Sequence, residues 1–402
     1  VRVKQLSAGL AVLAAVLGLS VSSHAAINGS DALSSPSTAS PTDCDPEAHV
    51  CGQWQYAGKP GFVFTGGVGK AHDVFRLGAD HDVAYVGVNT RWALPAALVG
   101  KSTTDTGNAL QICRASSGVC ESVKASAFAD VTHVVGVAGE NLLAEIETYH
   151  GDSLNYYDVS YARSADRGRT WSPVPVPENC NSHRSCRMEL VPGGDYILLV
   201  TETSSQSFDD WATNVYHSND GGQTWQRQNE GTRIPGTQWS AYAARSSVAM
   251  VLGAREHQTA IVNVHAGGED VVFSDMSSLH GSVYRMSGQG DTLYALVDTG
   301  IFPQREHRLY VIRNHAATEL WRSEGAIGNV WVNGETIVLH ADTKEMVLPA
   351  GVFRSVLQVS KDGGKSWQGH PLPNELADSI VDVAAGRIWV VTPKAVWYRD
   401  VQ

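Results

Sequence analysis

Two identical triplets, Arg255-Glu256-His257 and Arg305-Glu306-His307, stand 50 residues apart in the chain. A pair of guanidinium groups grips an oxyanion through forked N–H donors, so both arginines are candidates for holding an anionic ligand. Common ancestry of two repeats and salt-bridged surface loops are the competing readings. Arginine also mixes with aromatic residues in the stretches 89–108, 147–158, 201–214, 297–308 and 340–354. These hold Arg91 and Trp92, then Tyr149, His150, Tyr156 and Tyr157, then Phe208, Asp209, Asp210 and Trp211, and finally Phe302 and Arg354. That mixture suits recognition of a carbohydrate or a protein, against the alternative that each side chain merely packs its own loop. His72-Asp73 and Asp80-His81-Asp82 have metal-ligand side chains, but neighbours on a strand point to opposite faces. They are expected to be exposed turn residues. No metal and no cofactor is expected.

What must hold such residues in place is a repeat. Ser164–Trp171, Ser218–Trp225 and Ser360–Trp367 all fit S-x-D-x-G-x-[TS]-W, and each follows a run of alternating apolar residues such as Val356–Val359. The aspartates Asp166, Asp220 and Asp362 can accept backbone N–H groups of the turn. The glycines Gly168, Gly222 and Gly364 allow the positive φ that a tight hairpin needs. The tryptophans Trp171, Trp225 and Trp367 start the returning strand with a large apolar face. Weaker copies place Ser116, Ala266 and Asn314 at the Asp position, so the series 116, 166, 220, 266, 314, 362 advances by 46 to 54 residues. One step suits one four-stranded blade.

The three motifs resemble the Asp-box (BNR) repeats of sialidases and other propeller proteins. The resemblance implies an all-β propeller in which the boxes are structural, in enzymes and in non-catalytic binding proteins alike. After the sixth box the chain offers only three strands, at 380–384, 387–391 and 395–399. Val50–Tyr56 can supply the fourth, with Trp54 in the box Trp position. The expectation is a seven-bladed propeller over residues 44–402, closed by its N-terminal strand, with six blades as the rival count. In an up-and-down blade the box turns lie on one face of the disc and the long second loops on the other, so a site is expected opposite the boxes.

A sialidase-type hydrolase would need an arginine triad for the substrate carboxylate, a Tyr nucleophile paired with Glu, and an acidic acid/base group. Arg76 could serve as one arginine, but nothing in the sequence fixes the Tyr–Glu pair. Arg233-Ile234-Pro235 looks like the sialidase R-I-P segment, yet it follows the second box instead of preceding the first. The leading expectation is a non-catalytic propeller binding a glycan or protein. A sialidase-type glycoside hydrolase is the alternative.

The remaining signals concern compartment and partners. Arg2 and Lys4 precede an apolar run from Leu6 to Leu19, and Ser23-His24-Ala25 offers a cleavage site, so residues 1–25 read as a signal peptide. The run is short for a membrane span, and no stable membrane insertion is expected. Residues 26–43 read as a flexible Ser/Thr/Pro-rich spacer. Export to a periplasm or beyond agrees with six cysteines in three close pairs: Cys44 and Cys51, Cys113 and Cys120, Cys180 and Cys186. A net charge of −11 argues against nucleic acid as a partner. A monomer is expected.

Overall fold

The computed structural model describes residues 51–59, 75–88, 110–123, 131–149, 157–177, 186–191, 195–203, 211–229, 234–235, 241–244, 247–253, 257–300, 306–347, 352–376, 380–392, 395–401. They form seven antiparallel sheets. Each sheet is a blade of four main strands, to which blade III adds a fifth, short one, and in six of the blades the four run in chain order from an inner first strand to an outer fourth. Blade I comprises Phe75–Ala79, Val83–Val88, Leu110–Arg114 and Cys120–Val123. Blade II runs from Val131–Ala138 through Asn141–Tyr149 and Tyr157–Ser164 to Ser172–Val174. Blade III holds Cys186–Leu190, Tyr196–Thr203, Trp211–Ser218 and Gln226–Arg227. Blades IV, V and VI begin at Ala241–Ala243, Ser282–Gln289 and Ile327–Asn333 and end at Gly268–Phe273, Ala316–Ser323 and Gln368–Leu376.

Blade VII joins the two ends of the chain. Ile380–Ala384, Arg387–Val391 and Val396–Asp400 come from the C-terminal side, and Gln55–Gly58 pairs with the last of them. The closing strand starts later than the sequence suggests. Trp54 forms an isolated bridge with Cys51 and lies just before the strand. Its indole still behaves as a box Trp: Trp54 Nε1 donates to Pro371 O of blade VI at 3.2 Å. Trp225 and Trp367 reach the preceding blade in the same way, through Pro175 O at 2.7 Å and Leu320 O at 3.3 Å. Gly58 passes so close to blade I that a Cβ there would stand 2.6 Å from Cys120 Sγ, and its φ of +145° already excludes most residues.

The core is a set of inter-blade layers, because alternate residues of each strand face opposite neighbours. Between blades V and VI, Leu296, Leu309 and Trp321 meet Ile337, Leu339 and Ala341. Between VI and VII, Val338 and Leu357 meet Val381, Val390 and Trp397. The seam from VII to I is also stitched by polar side chains. Trp389 Nε1 donates to Asp80 O at 2.9 Å, and Arg387 Nη1 donates to His81 O at 2.7 Å.

The three boxes have one geometry. Asp166 Oδ1 accepts Thr170 N–H at 2.8 Å, and Asp166 Oδ2 accepts the Thr170 hydroxyl at 2.7 Å. Ser164 Oγ donates to Asp166 and accepts Gly168 N–H, each at 2.8 Å. The same bonds recur in Ser218–Trp225 and Ser360–Trp367. The decayed copies are simpler. In blade V the Asn314-His315 pair turns with φ of 50° and 62°, a two-residue hairpin in place of a box. In blade I the Cys113–Cys120 disulfide crosses the turn. Cys51 and Cys186 are also disulfide-bonded, and Cys44 and Cys180 lie outside the described residues.

Candidate functional site

In blades II and VI the turn between the first and second strands shares a face with the box. Arg167 N–H donates to Glu140 O, and Gly363 N–H donates to Glu335 O, each tying a box to the first turn of its own blade. The boxes are electrostatically settled. Hydrogen bonds from Thr170 and Ser164 hold the Asp166 carboxyl down at about 2, and the Ser366 and Ser360 bonds do the same for Asp362. The Thr224 and Ser218 bonds depress Asp220 as well. Arg163 of blade II fastens the next box by donating to Gly221 O at 2.8 Å. An Asp220→Ala substitution should therefore lower the melting temperature by removing a set of turn bonds. It should leave ligand binding at the other face unchanged. Melting curves alongside a binding isotherm read the two effects separately.

The candidate residues whose backbone is placed gather at the opposite end of the blades. Tyr157 and Trp211 open the third strands of blades II and III, and Arg354 lies near the start of the third strand of blade VI. His257 precedes the third strand of blade IV, and Glu306 and His307 lie at the start of the one in blade V. The connections at this end are shorter than the sequence suggests, because the strands continue upward. Tyr149 pairs with Tyr157, Thr203 with Trp211, and Val347 with Val352. Arg91, Trp92, Arg255, Glu256 and Arg305 lie outside the described residues, as do His72 and Asp73.

In the second triplet, Glu306 and His307 are built into the fold. Glu306 Oε2 accepts Arg308 Nη2 at 2.7 Å, and its backbone exchanges bonds with Thr299. His307 is buried, pairs across the sheet with Asp298, and meets Tyr284 edge to face at 5.6 Å. In the first triplet His257 is exposed, and the residue after it has a role the sequence did not signal. Gln258 bridges blades IV and V by donating to Val283 O and accepting Val283 N–H, both at 2.7 Å.

Two tyrosines touch carboxylates: Tyr161 reaches Glu145 at 3.5 Å and Tyr310 reaches Glu319 at 3.4 Å. Burial raises the pKa of both phenols, and the carboxylates add to it. Asp80 caps a turn by accepting Asp82 and Val83 N–H groups at 2.8 Å. His81 and Asp82 are exposed, and no metal-ligating cluster occurs among the described residues. Ile234–Pro235 adds a short strand to blade III, with Ile234 fully buried. That gives Ile234 a packing role.

Residues 216–227, the box hairpin of blade III, match the BNR/Asp-box repeat model. No curated protein matches the chain in sequence. Among solved structures, the acylaminoacyl peptidase of Pyrococcus horikoshii is similar at 8% identity and TM-score 0.52. The match covers 82% of this chain and 52% of the peptidase, and it is a likeness of fold. The α-L-arabinofuranosidase of Fusarium graminearum aligns over 66% of this chain and 91% of its own, at 12% identity and TM-score 0.42. A PL25 ulvan lyase aligns over 86% and 96%, at 9% identity and TM-score 0.47. With three complete boxes, seven sheets and a terminal strand closing the last one, the chain is a seven-bladed β-propeller that carries Asp-box repeats.

Proposed function

We propose that this protein is an exported, non-catalytic propeller that binds a glycan or a protein ligand on the face opposite its boxes. The observation that carries the reading is the contrast between the two ends of the blades. At one end, short turns have their polar groups satisfied by each other. At the other end, the Arg- and aromatic-rich connections leave a rigid scaffold, the arrangement in which loops bind. The Cys113–Cys120 disulfide supports an oxidising compartment.

The two repeated arginines supply the test. Purified protein should leave a fluorogenic sialoside intact and should retain ligands on an array of acidic glycans or candidate proteins. The double substitution Arg255→Ala, Arg305→Ala should weaken that retention about tenfold or more, as loss of charged hydrogen bonds does. Sialoside turnover that disappears in the same double variant would overturn the binding reading and establish the hydrolase.

A further inference from the structure

The outer seam between blades VI and VII contains a guanidinium that makes no ion pair among the described residues. Arg399 lies on Val396–Asp400, where Gln55 pairs with Tyr398 and so brings Trp54 opposite Arg399. Its guanidinium carbon lies 5.8 Å from the centre of the Trp54 ring. Across the seam, His370 of blade VI lies 3.1 Å from Arg399 Nη1 through Nδ1. A guanidinium can only donate, so that ring nitrogen accepts and the imidazole is neutral. Burial, then the charges of Arg399 and Lys361, hold His370 at about 4, in agreement with the geometry. Lys361 is exposed in the neighbouring box turn.

Three carboxylates among the described residues near Arg399 are occupied. Asp362, beside Lys361, is consumed by its box. Asp400, beside Arg399, takes Arg387 Nε at 2.6 Å on the other face of the sheet. Asp382 accepts Trp331 Nε1 and Val383 N–H at the inner strand. Arg399 makes no ion pair among the described residues, and burial lowers its pKa. A partly buried charge without a partner is costly, and a protein of net charge −11 has many acidic groups from which to draw one. Two cations beside an aromatic face, with four guanidinium N–H groups uncommitted, form a receptor for one anionic group.

We propose that this seam is an oxyanion site, in which Arg399 grips a carboxylate or sulfate group, His370 positions the guanidinium, and Lys361 adds an outer charge. The group can come from a free inorganic ion or from an acidic sugar. The site lies between outer strands of two blades and at the box end, apart from the loop face, so it stands independently of the ligand proposed there. It also lies on the joint that closes the ring, where an anion would link Trp54, blade VII and blade VI.

Thermal melts at pH 7.5 in chloride, sulfate and glucuronate at matched ionic strength test the proposal on the wild type and Arg399→Gln. Sulfate stabilises proteins in general, so the informative quantity is the increment that the variant lacks. The wild type should gain about 1–2 °C more than Arg399→Gln from tens of millimolar sulfate. A gain in glucuronate as well assigns the site to acidic sugars, and a gain in sulfate alone assigns it to tetrahedral anions. In parallel, the His370 imidazole resonance, identified by its loss in His370→Gln, should shift saturably as sulfate is added to the wild type. Equal increments in wild type and Arg399→Gln, or a stationary His370 resonance, overturn the proposal.

Discussion

A chain shortened to begin at residue 60 is expected to aggregate, or to melt far below the full chain, whereas one lacking only residues 27–43 is expected to melt normally. The first truncation removes Gln55–Gly58 and strips the outer edge of Val396–Asp400 of its ladder partner. It also removes Trp54, which is 4% exposed, and Ala57, which is fully buried. By area alone, losing a buried Trp of this size costs on the order of 5 kcal/mol, comparable to the whole stability of many domains. Tyr56 also leaves the edge of Trp397, which it meets at 5.6 Å and 76°. Trp397 and the strand edge would then face water, and an unpaired apolar edge invites pairing with another chain. Deleting residues 380–402 should do comparable damage from the other side. Light scattering and melting curves decide the matter. A chain starting at residue 60 that stays dispersed and melts like the full chain would sink the closure.

This closure shows which parts of the molecule were legible in the sequence. The repeat spacing and the three unpartnered C-terminal strands were enough to require a terminal strand, because each box marks the same place in every blade. The position of Trp54 was legible for the same reason, and the strand boundary was not, since Val50 and Cys51 satisfy the apolar pattern as well as Tyr56 and Ala57 do. The roles of Ser164, Ser218 and Ser360 were hidden. Their hydroxyls work as both donor and acceptor inside the box, and the pattern alone shows only that a small polar residue is wanted. The loops illustrate a different limit. Residues 340–354 contain charged groups that resemble a loop, but the strand runs on to Val347 because Ile337–Ala341 already fixes its register against Val356–Ser360. Glu306 and His307 stood out by repetition, which does not distinguish a ligand-binding group from one that ties Arg308 or packs against Tyr284. The cross-blade bonds of Gln258, Arg163 and Trp331 join residues 25 to 58 positions apart and leave no local signal.

Asp382 is the residue at which that non-local chemistry should have its largest measurable effect. It sits on the inner strand of blade VII and accepts Trp331 Nε1 of blade VI at 3.0 Å and Val383 N–H at 2.9 Å. Burial pushes its carboxyl up to about 6, and these bonds, with one from Ala79 N–H of blade I, offset only part of that rise. A folded-state pKa above the unfolded value near 3.9 means that the native state binds the extra proton between about pH 4 and pH 6. This group's contribution to stability therefore falls as pH rises through that window, and the cost is fully present at pH 7 and above. A gap of that size between the folded and unfolded carboxyl corresponds to about 3 kcal/mol. Two histidines act in the opposite sense. Burial holds His340 at about 4, and burial with Arg399 and Lys361 does so for His370, so their contribution is lost as pH falls from about 6.5 to 4. The wild-type profile mixes both effects, but the difference between wild type and Asp382→Asn does not. The amide keeps an acceptor for Trp331 and removes the charge. Denaturant unfolding should show the variant gaining on the wild type as pH rises from 4 to 7, by about 2–3 kcal/mol, and holding a constant difference above pH 7. A pH-independent difference would mean that the Asp382 carboxyl ionises in the folded protein as it does in the unfolded chain, so that burial at the joint between blades VI, VII and I does not disfavour its charge.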